Sequence, residues 1–407
     1  MRTRRRLAGV THASVSALQV LQSTFGHDSF RAGQADIVEA VVSGRDVLAI
    51  LPTGAGKSIC YQIPALLATG PTLVVSPLIA LMQDQVSALQ HRGVVAVALT
   101  SASSSSDRRA AVASLAAHRP SLVYVAPERL AAASFRQLVS HASLSRIVVD
   151  EAHCITEWGH DFRPDYRAIG AFAESVGRPA IVAFTATATP ATRIDIERQL
   201  KLRHPIRIVQ SVDRPNLRWE VVRPTCSREA LHQVIRAVGL RGDGAALIYV
   251  STRALAVAVA AALRRAGHPA EAYHAGLTDS RRALVQSNFI GAPRGVIVAT
   301  CAFGMGIDHP GVRLVAHFGM PGALEAYVQE AGRAGRDGLP ARCLLVARRH
   351  DAVLHVKRLH ALAPSGRKPA RKRLTAMRGY VNERICRRAA IARWFGERAP
   401  DCQGCDL

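Results

Sequence analysis

Short apolar runs rich in β-branched residues recur along this chain, separated by sequence of helical period, and that alternation restricts the fold more than any other feature. A first series lies at residues 46–51 (DVLAIL), 72–77 (TLVVSP), 122–127 (LVYVAP), 146–152 (RIVVDEA) and 180–187 (AIVAFTAT). A second follows the polar, proline-marked stretch at 211–220 (SVDRPNLRWE). It comprises 246–251 (ALIYVS), 270–275 (AEAYHA), 295–300 (GVIVAT), 312–318 (VRLVAHF) and 342–347 (RCLLVA). Parallel strands need long crossovers, which helices supply, so each series predicts a parallel sheet covered by helices on both faces. The expected class is α/β, with tandem domains at 1–210 and 211–350. From about residue 351 the strand runs stop and arginine-rich helical sequence leads to DCQGCDL, so 351–407 is expected to be a third, incomplete module. The serine run at 101–106 is expected to be a solvated loop.

A chain of 407 residues, 49% hydrophobic and 20% charged, can bury two or three cores. Its formal net charge of +23 is the unusual quantity, because so large a positive excess calls for a polyanion, and nucleic acid is the first candidate. Among 53 basic residues only Lys57, Lys201, Lys357, Lys368 and Lys372 are lysines, a habit that explains the identity of the cations but not their excess. Residues 58–83 carry no charge, yet Pro64, Gly70, Pro71 and Pro77 interrupt them, which predicts a buried helix and then a strand rather than a membrane span. The basic start is like the head of a signal peptide, but His12, Ser14 and Ser16 break the apolar stretch that should follow. Cys60, Cys154, Cys226, Cys301 and Cys343 show no pairing spacing, so no disulfide framework is expected and the chain reads as cytoplasmic.

Residues 49–63 (AILPTGAGKSICYQI) place a Gly-rich turn between a strand and a helix, which aims backbone N–H groups and the positive helix end at phosphates. Thr53, Gly54 and Gly56 shape the turn, Lys57 would meet the β and γ phosphates of ATP, and Ser58 a Mg2+ ion. Leu51 stands where the full phosphate-loop pattern has its first glycine. Glycines that merely make a turn are the bland reading. Asp150 and Glu151 end a later strand run, where open α/β sheets bind ligands. Asp150 suits the metal and Glu151 the attacking water, although an acidic pair at a strand end is also an ordinary solvated terminus. Trp158, Phe162 and Tyr166 crowd nine residues of a chain that is only 5% aromatic, interleaved with His160 and Arg163. Aromatic faces stack on unpaired bases while arginines meet phosphates. Trp158 and Phe162, four apart, could equally be one face of a packed helix.

These stretches carry a resemblance. GAGKS, DEAH (150–153), TATAT (185–189) and QEAGRAGRDG (329–338) resemble superfamily 2 helicase motifs. FRAGQ (30–34), SPLIALMQDQV (76–86), WGHDFRPDY (158–166), YHAGL (273–277) and FGMGID (303–308) resemble the RecQ family more specifically, in order, over about residues 20–407. The resemblance implies two RecA-like domains and a partial helical zinc-binding module. It implies that Gln34 reads the adenine edge with Arg31 beside it, that Arg333 and Arg336 reach the γ-phosphate, and that Gln329 and Asp308 help close the nucleotide site. Thr185 and Thr187 would relay nucleotide state, and the aromatic stretch would sense single-stranded DNA. Ser76 and Gln85, with Ser251, Arg253, His274 and Thr300, would grip its backbone.

Cys386, Cys402 and Cys405 give C-x15-C-x2-C, three quarters of a Zn2+ site, and the family pattern expects one more cysteine just past Leu407. The activity implied is ATP-dependent 3′ to 5′ movement with duplex unwinding in DNA recombination and repair, in the bacterial nucleoid. Single-stranded and branched DNA, single-strand-binding proteins and recombination proteins are the implied partners, with no membrane. Three alternatives stay open: a DNA-stimulated translocase that does not unwind, a non-catalytic nucleic-acid-binding fragment and an RNA helicase.

Overall fold

The computed structural model describes residues 10–100, 103–156, 162–303, 309–348, 350–362, 364–402 and 404–407. They form two compact units that divide between Gln210 and Ser211. The first is built on β1 (Val47–Ile50), β2 (Pro71–Val75), β3 (Ala96–Leu99), β4 (Ser121–Val125), β5 (Arg146–Val149), β6 (Ala180–Thr185) and β7 (Ile206–Val209). The second is built on β8 (Leu217–Val222), β9 (Ala245–Val250), β10 (Ala270–Tyr273), β11 (Val296–Ala299), β12 (Val312–Phe318) and β13 (Ala341–Val346). Strand order is β3-β4-β2-β5-β6-β1-β7 in one sheet and β10-β11-β9-β12-β13-β8 in the other, and every pairing is parallel.

Both faces of each sheet are buried, as parallel sheets require. Leu48 and Ile50 of β1 enter one apolar cluster while Val47 and Ala49 enter the other, the period-two alternation of a strand. In the second unit Leu247 and Tyr249 face one cluster and Ala246 and Ile248 the opposite one. Leu374, Met377, Tyr380, Val381, Ile391 and Phe395 of the arginine-rich helices enter the cluster of Leu247, so this segment shares the core of the second unit.

Three strands, β3, β7 and β8, have no counterpart among the runs expected from sequence. All three are sheet edges. An edge strand faces solvent on one side and need not be continuously apolar. In β7, Arg207 and Val209 are exposed between the half-buried Ile206 and Ile208. The polar stretch at 211–220 accordingly ends inside β8. Its free edge is covered by the chain terminus, where Trp219 N donates to Gly404 O at 3.0 Å and Asp406 N to Trp219 O at 3.1 Å. The serine run also departs from expectation. Ser104 caps the helix Ser105–Ala116, its Oγ accepting from Asp107 N at 3.1 Å while Asp107 Oδ2 accepts from Ser104 N at 2.9 Å.

Each unit is pinned by a buried aspartate. Asp46 accepts from Arg178 Nη2 at 2.5 Å, Ile181 N at 2.9 Å and Arg203 N at 2.6 Å. Asp351 accepts from Met320 N at 2.9 Å and Arg348 N at 2.8 Å, and pairs with the Arg348 guanidinium at 2.8 Å.

Candidate nucleotide and metal sites

β1 ends in the turn Leu51–Gly56, and the helix Lys57–Leu66 starts from Gly56 with φ 77°, a left-handed conformation that favours glycine. Gly54 is left-handed too, with φ 86°. Gly56 has no side chain to accept from the first turn, so the helix N–H groups stay available to an anion. A Cβ at Gly56 would sit 2.5 Å from Gln34 Nε2. Gln34 is buried against the turn, donating to Ala55 O at 2.9 Å and Gly56 O at 3.2 Å, while its Oε1 accepts from Arg31 N at 2.9 Å. Arg31 Nη1 donates to Gly54 O at 2.7 Å. Both residues expected at the adenine therefore brace the turn through its carbonyls. A base read by Gln34 must exchange for one of these partners.

The ends of β2, β5, β6 and β1, four neighbouring strands, bring Ser76, Asp150, Glu151, Thr185 and the turn to one sheet edge. Lys57 Nζ lies 3.2 Å from Glu151 Oε1. His153 Nδ1 lies 3.2 Å from Glu151 Oε2 and 3.0 Å from Thr185 Oγ1, and Thr185 Oγ1 accepts from Thr187 N at 3.3 Å. Glu151 adopts φ 47°, a strained setting for a side-chain-bearing residue, of the kind that collects at functional sites. Burial pushes its carboxyl up, but Lys57 and His153 outweigh that and hold it well below the usual carboxylate range. Asp150 shifts the other way, raised by burial and by the charge of Glu151, which Lys57 and His153 only partly offset. A buried carboxylate short of positive charge suits a divalent cation, and the Ser58 hydroxyl is a neutral oxygen donor of the kind Mg2+ accepts. His153 had a visible signal, its place within the DEAH stretch, that sequence reasoning left without a role.

The expected DNA-facing residues divide. Ser76 Oγ and Thr187 Oγ1 are buried with no hydrogen-bond partner among the described residues. Gln85 Oε1 accepts from Gln62 Nε2 at 2.7 Å. Phe162 is half-buried beneath the Arg167 guanidinium, 5.1 Å from its ring centroid, and Arg163 Nη1 donates to Pro77 O at 2.8 Å. Tyr166 corrects the expectation of three stacking aromatics. It is 0% exposed, and its phenol donates to Asp150 O at 3.0 Å, so it cannot offer a face to a base. It ties this segment to the carboxylate pair instead. Trp158 and His160 lie outside the described residues, as does Asp308.

In the second unit, β9, β11 and β10 are neighbours and their ends carry Ser251, Thr300 and His274. Ser251 and Arg253 are exposed, and Gly276 sits between Arg253 and His274, with a Cβ there 3.2 Å from a nitrogen of each. Gln329 and Arg333 are buried, and Arg336 is half-buried. Arg333 lies beside the Tyr249 hydroxyl, which donates to Phe303 O at 2.8 Å.

Cys386 stands at the N-cap position of the helix Arg387–Trp394, its thiol making no capping hydrogen bond, and Cys402 and Cys405 lie on the terminal strap along β8. Cys402 and Cys405 are 3.5 Å apart at sulfur, Cys405 and Cys386 3.9 Å, and all three sulfurs lie within 4.8 Å of one another. Tetrahedral Zn–S bonds of about 2.3 Å place sulfurs roughly 3.8 Å apart, so the trio fits zinc.

Three family profiles match the chain: DEAD/DEAH box helicase over residues 31–195, helicase conserved C-terminal domain over 227–338 and RecQ zinc-binding over 349–407. The ATP-dependent DNA helicase RecQ of Pasteurella multocida is 42% identical over 96% of this chain and 62% of its own length. The ATP-dependent DNA helicase Q5 of Rattus norvegicus is 41% identical over 95% of this chain and 42% of its own. The chain thus spans under two thirds of these curated relatives. Among solved structures, S. cerevisiae Dbp5 bound to RNA and ADP BeF3 matches 92% of each chain with TM-score 0.67 at 16% identity. The DUF1998 helicase MrfA bound to DNA and AMPPNP matches 89% of this chain and 54% of its own with TM-score 0.68 at 19% identity. These structural likenesses establish two RecA-like sheets. Among the described residues no helix is long and apolar enough to cross a membrane.

Proposed function

This chain belongs to the RecQ family of superfamily 2 helicases, and from that premise we propose that it is an ATP-driven DNA helicase motor, moving 3′ to 5′ on single-stranded DNA and separating the duplex ahead. The observation that carries the reading is the uncapped helix at Gly56, with Lys57 and the buried pair Asp150 and Glu151 beside it. The turn N–H groups and Lys57 bind the triphosphate, whose greater negative charge draws Lys57 away from Glu151. Glu151, so released, orients water and takes its proton as oxygen attacks the γ-phosphorus and the bond to the β,γ-bridging oxygen breaks, giving ADP and inorganic phosphate. Ser58 and Asp150 hold Mg2+, which when bound neutralises phosphate charge. Arg333 and Arg336 add positive charge at the γ-phosphate, an effect of about 10³ to 10⁵ in rate in comparable phosphoryl transfer.

On the nucleic-acid side, Phe162 stacks on a base, Arg163 and Arg253 meet phosphates, and Ser76, Gln85, Thr187, Ser251, His274 and Thr300 hydrogen-bond the backbone. Trp158 and His160 extend the stacking segment, Thr185 and Tyr166 relay its state to Asp150, and Gln329 and Asp308 complete the nucleotide site. Cys386, Cys402 and Cys405 hold Zn2+, which when bound fastens the terminal strap to β8. Branched DNA, single-strand-binding proteins and recombination proteins are the proposed partners, in DNA repair.

ATP hydrolysis without nucleic acid, with single-stranded DNA and with single-stranded RNA, beside Lys57→Ala, tests the reading, followed by strand separation on a 3′-tailed duplex. Expected are stimulation by DNA above RNA, its loss in the variant, and unwinding. No DNA-stimulated hydrolysis would overturn the motor. Stimulation without unwinding would reduce it to a translocase.

A further inference from the structure

The polar stretch at 211–220, which none of the steps above uses, grips the turn that carries Arg333 and Arg336. The helix Leu324–Ala331 ends at that turn, where carbonyl groups past the last helical residues need donors from elsewhere. One guanidinium supplies most of them. Arg214 Nη1 donates to Gly332 O at 3.3 Å, and its Nη2 to Ala334 O at 3.1 Å and Gly335 O at 2.6 Å. Asn216 Nδ2 donates to Gly335 O at 2.9 Å and to Leu339 O at 2.9 Å. Gly335 adopts φ 55°, and a Cβ on it would lie 2.5 Å from Asn216 Nδ2, so the amide fills the space that a side chain would take. We propose that Arg214 and Asn216 are positioning residues that hold the turn of residues 332–336 in place for ATP hydrolysis. This rests on the reading above that Arg333 and Arg336 act at the γ-phosphate.

The clamp reaches both arginines through their backbone. The carbonyl of Gly332 belongs to the peptide entering Arg333, and that of Gly335 to the peptide entering Arg336, so fixing them fixes the direction in which each side chain departs. Arg333 depends on that direction, because it is buried and its Nε and Nη1 have no hydrogen-bond partner among the described residues. A clamp also needs a fixed base. Ser211 Oγ donates to Glu397 Oε2 at 2.5 Å, Val212 N to Glu397 Oε1 at 3.0 Å and Arg388 Nε to Asp213 Oδ1 at 2.7 Å, which fastens the stretch just before Arg214. On the far side Ala341 N donates to Asn216 O at 2.9 Å. The cation suits its place, since it lies at the negative end of a helix and offers several donors in one plane, as an ammonium does not. Misplacing a catalytic group by about 1 Å can cost about 100-fold in rate, so a brace that touches no substrate can still govern turnover.

The test is single-turnover ATP hydrolysis, with the whole chain in excess and single-stranded DNA saturating. It compares the starting protein, Arg214→Gln, Asn216→Ala, the double variant Arg333→Ala/Arg336→Ala and that double variant with Arg214→Gln added, each with a thermal melt and a fluorescent-nucleotide titration. Expected are rates lowered about tenfold in Arg214→Gln and about threefold in Asn216→Ala, with nucleotide affinity within about twofold, because the lost contact matters in the transition state. Without the two arginines, Arg214→Gln should lower the rate by less than about twofold further, since nothing is left to position. If Arg214→Gln does not fold, Asn216→Ala, which keeps the guanidinium, takes its place in the same comparison. Full rates in both single variants would overturn the brace and leave the motor standing. A loss that persists undiminished without the two arginines would reduce the stretch to packing and also overturn it. An unchanged rate in Arg333→Ala/Arg336→Ala would instead overturn the assignment of those arginines, and the brace with it.

Discussion

The helix after β1 and the helix after β9 start from equivalent places in their own sheets, the carboxyl end of an interior parallel strand, yet their first turns are finished differently. Gly56 leaves the N–H groups of Lys57–Leu66 without a side-chain acceptor. Thr252 caps Arg253–Arg265, its Oγ1 accepting from Leu255 N at 3.2 Å. The same architecture thus yields an anion cradle in one unit and a closed helix end in the other. The difference is one residue deep: a parallel sheet offers the location, and withholding the cap makes it a site. Charge divides in the same sense. Residues 1–210 hold 22 basic and 15 acidic side chains, and residues 211–407 hold 31 and 15, so the unit without the cradle carries most of the positive excess, as suits a polyanion rather than one nucleotide.

The comparison can be pressed at four points. The largest effect is expected at the carboxylate that only the first unit has: Glu151→Gln should lower kcat by about 10³ while fluorescent-nucleotide titration still shows ATP binding. Retained turnover would remove the chemical half of the contrast. Next come the pins. Asp46→Ala takes from Arg178, whose side chain is 9% exposed, the nearer of its two carboxylates and leaves the N–H groups of Ile181 and Arg203 without their acceptor, and should cost about 3 kcal/mol or more in urea unfolding, with Asp351→Ala costing the second unit a similar amount. If one loss were negligible, the two units would not be stabilised alike. Gly56→Ala forces a side chain into a left-handed position and against Gln34, and should cost about 2 kcal/mol, read as loss of both ATP affinity and melting temperature. The smallest effect is at the other helix. Thr252→Ala should cost about 1 kcal/mol of stability, and calorimetry should detect no nucleotide binding gained at that unit. Nucleotide bound there would break the comparison outright.

Interior strands were legible because burial on both faces demands continuous apolar runs: nine of the ten expected runs became interior strands, and the tenth became the edge strand β10. The other three edges were not legible. Ala96–Leu99 is alternately alanine, which is as much at home in a helix, and Leu217–Val222 begins just after Pro215 amid charged residues. At the site, Lys57, Asp150 and Glu151 could be found because phosphate and metal chemistry restrict residue type and spacing. The depth of Tyr166 could not, since nothing in the spacing of three aromatics tells a stacking ring from one buried under Asp150.

What the sequence determined by itself is therefore what backbone chemistry makes local: strand period, the positive φ that asks for Gly54 and Gly56, the cap that Thr252 supplies and Gly56 does not. Tertiary structure decided which distant groups meet. Gln62 reaches Gln85 and Tyr124, Lys57 reaches Glu151 across 94 residues, and Cys405 lies along Trp219. A polar side chain becomes a relay, a ligand or a brace only through the partner that strand order places beside it, and local sequence carries no record of that partner.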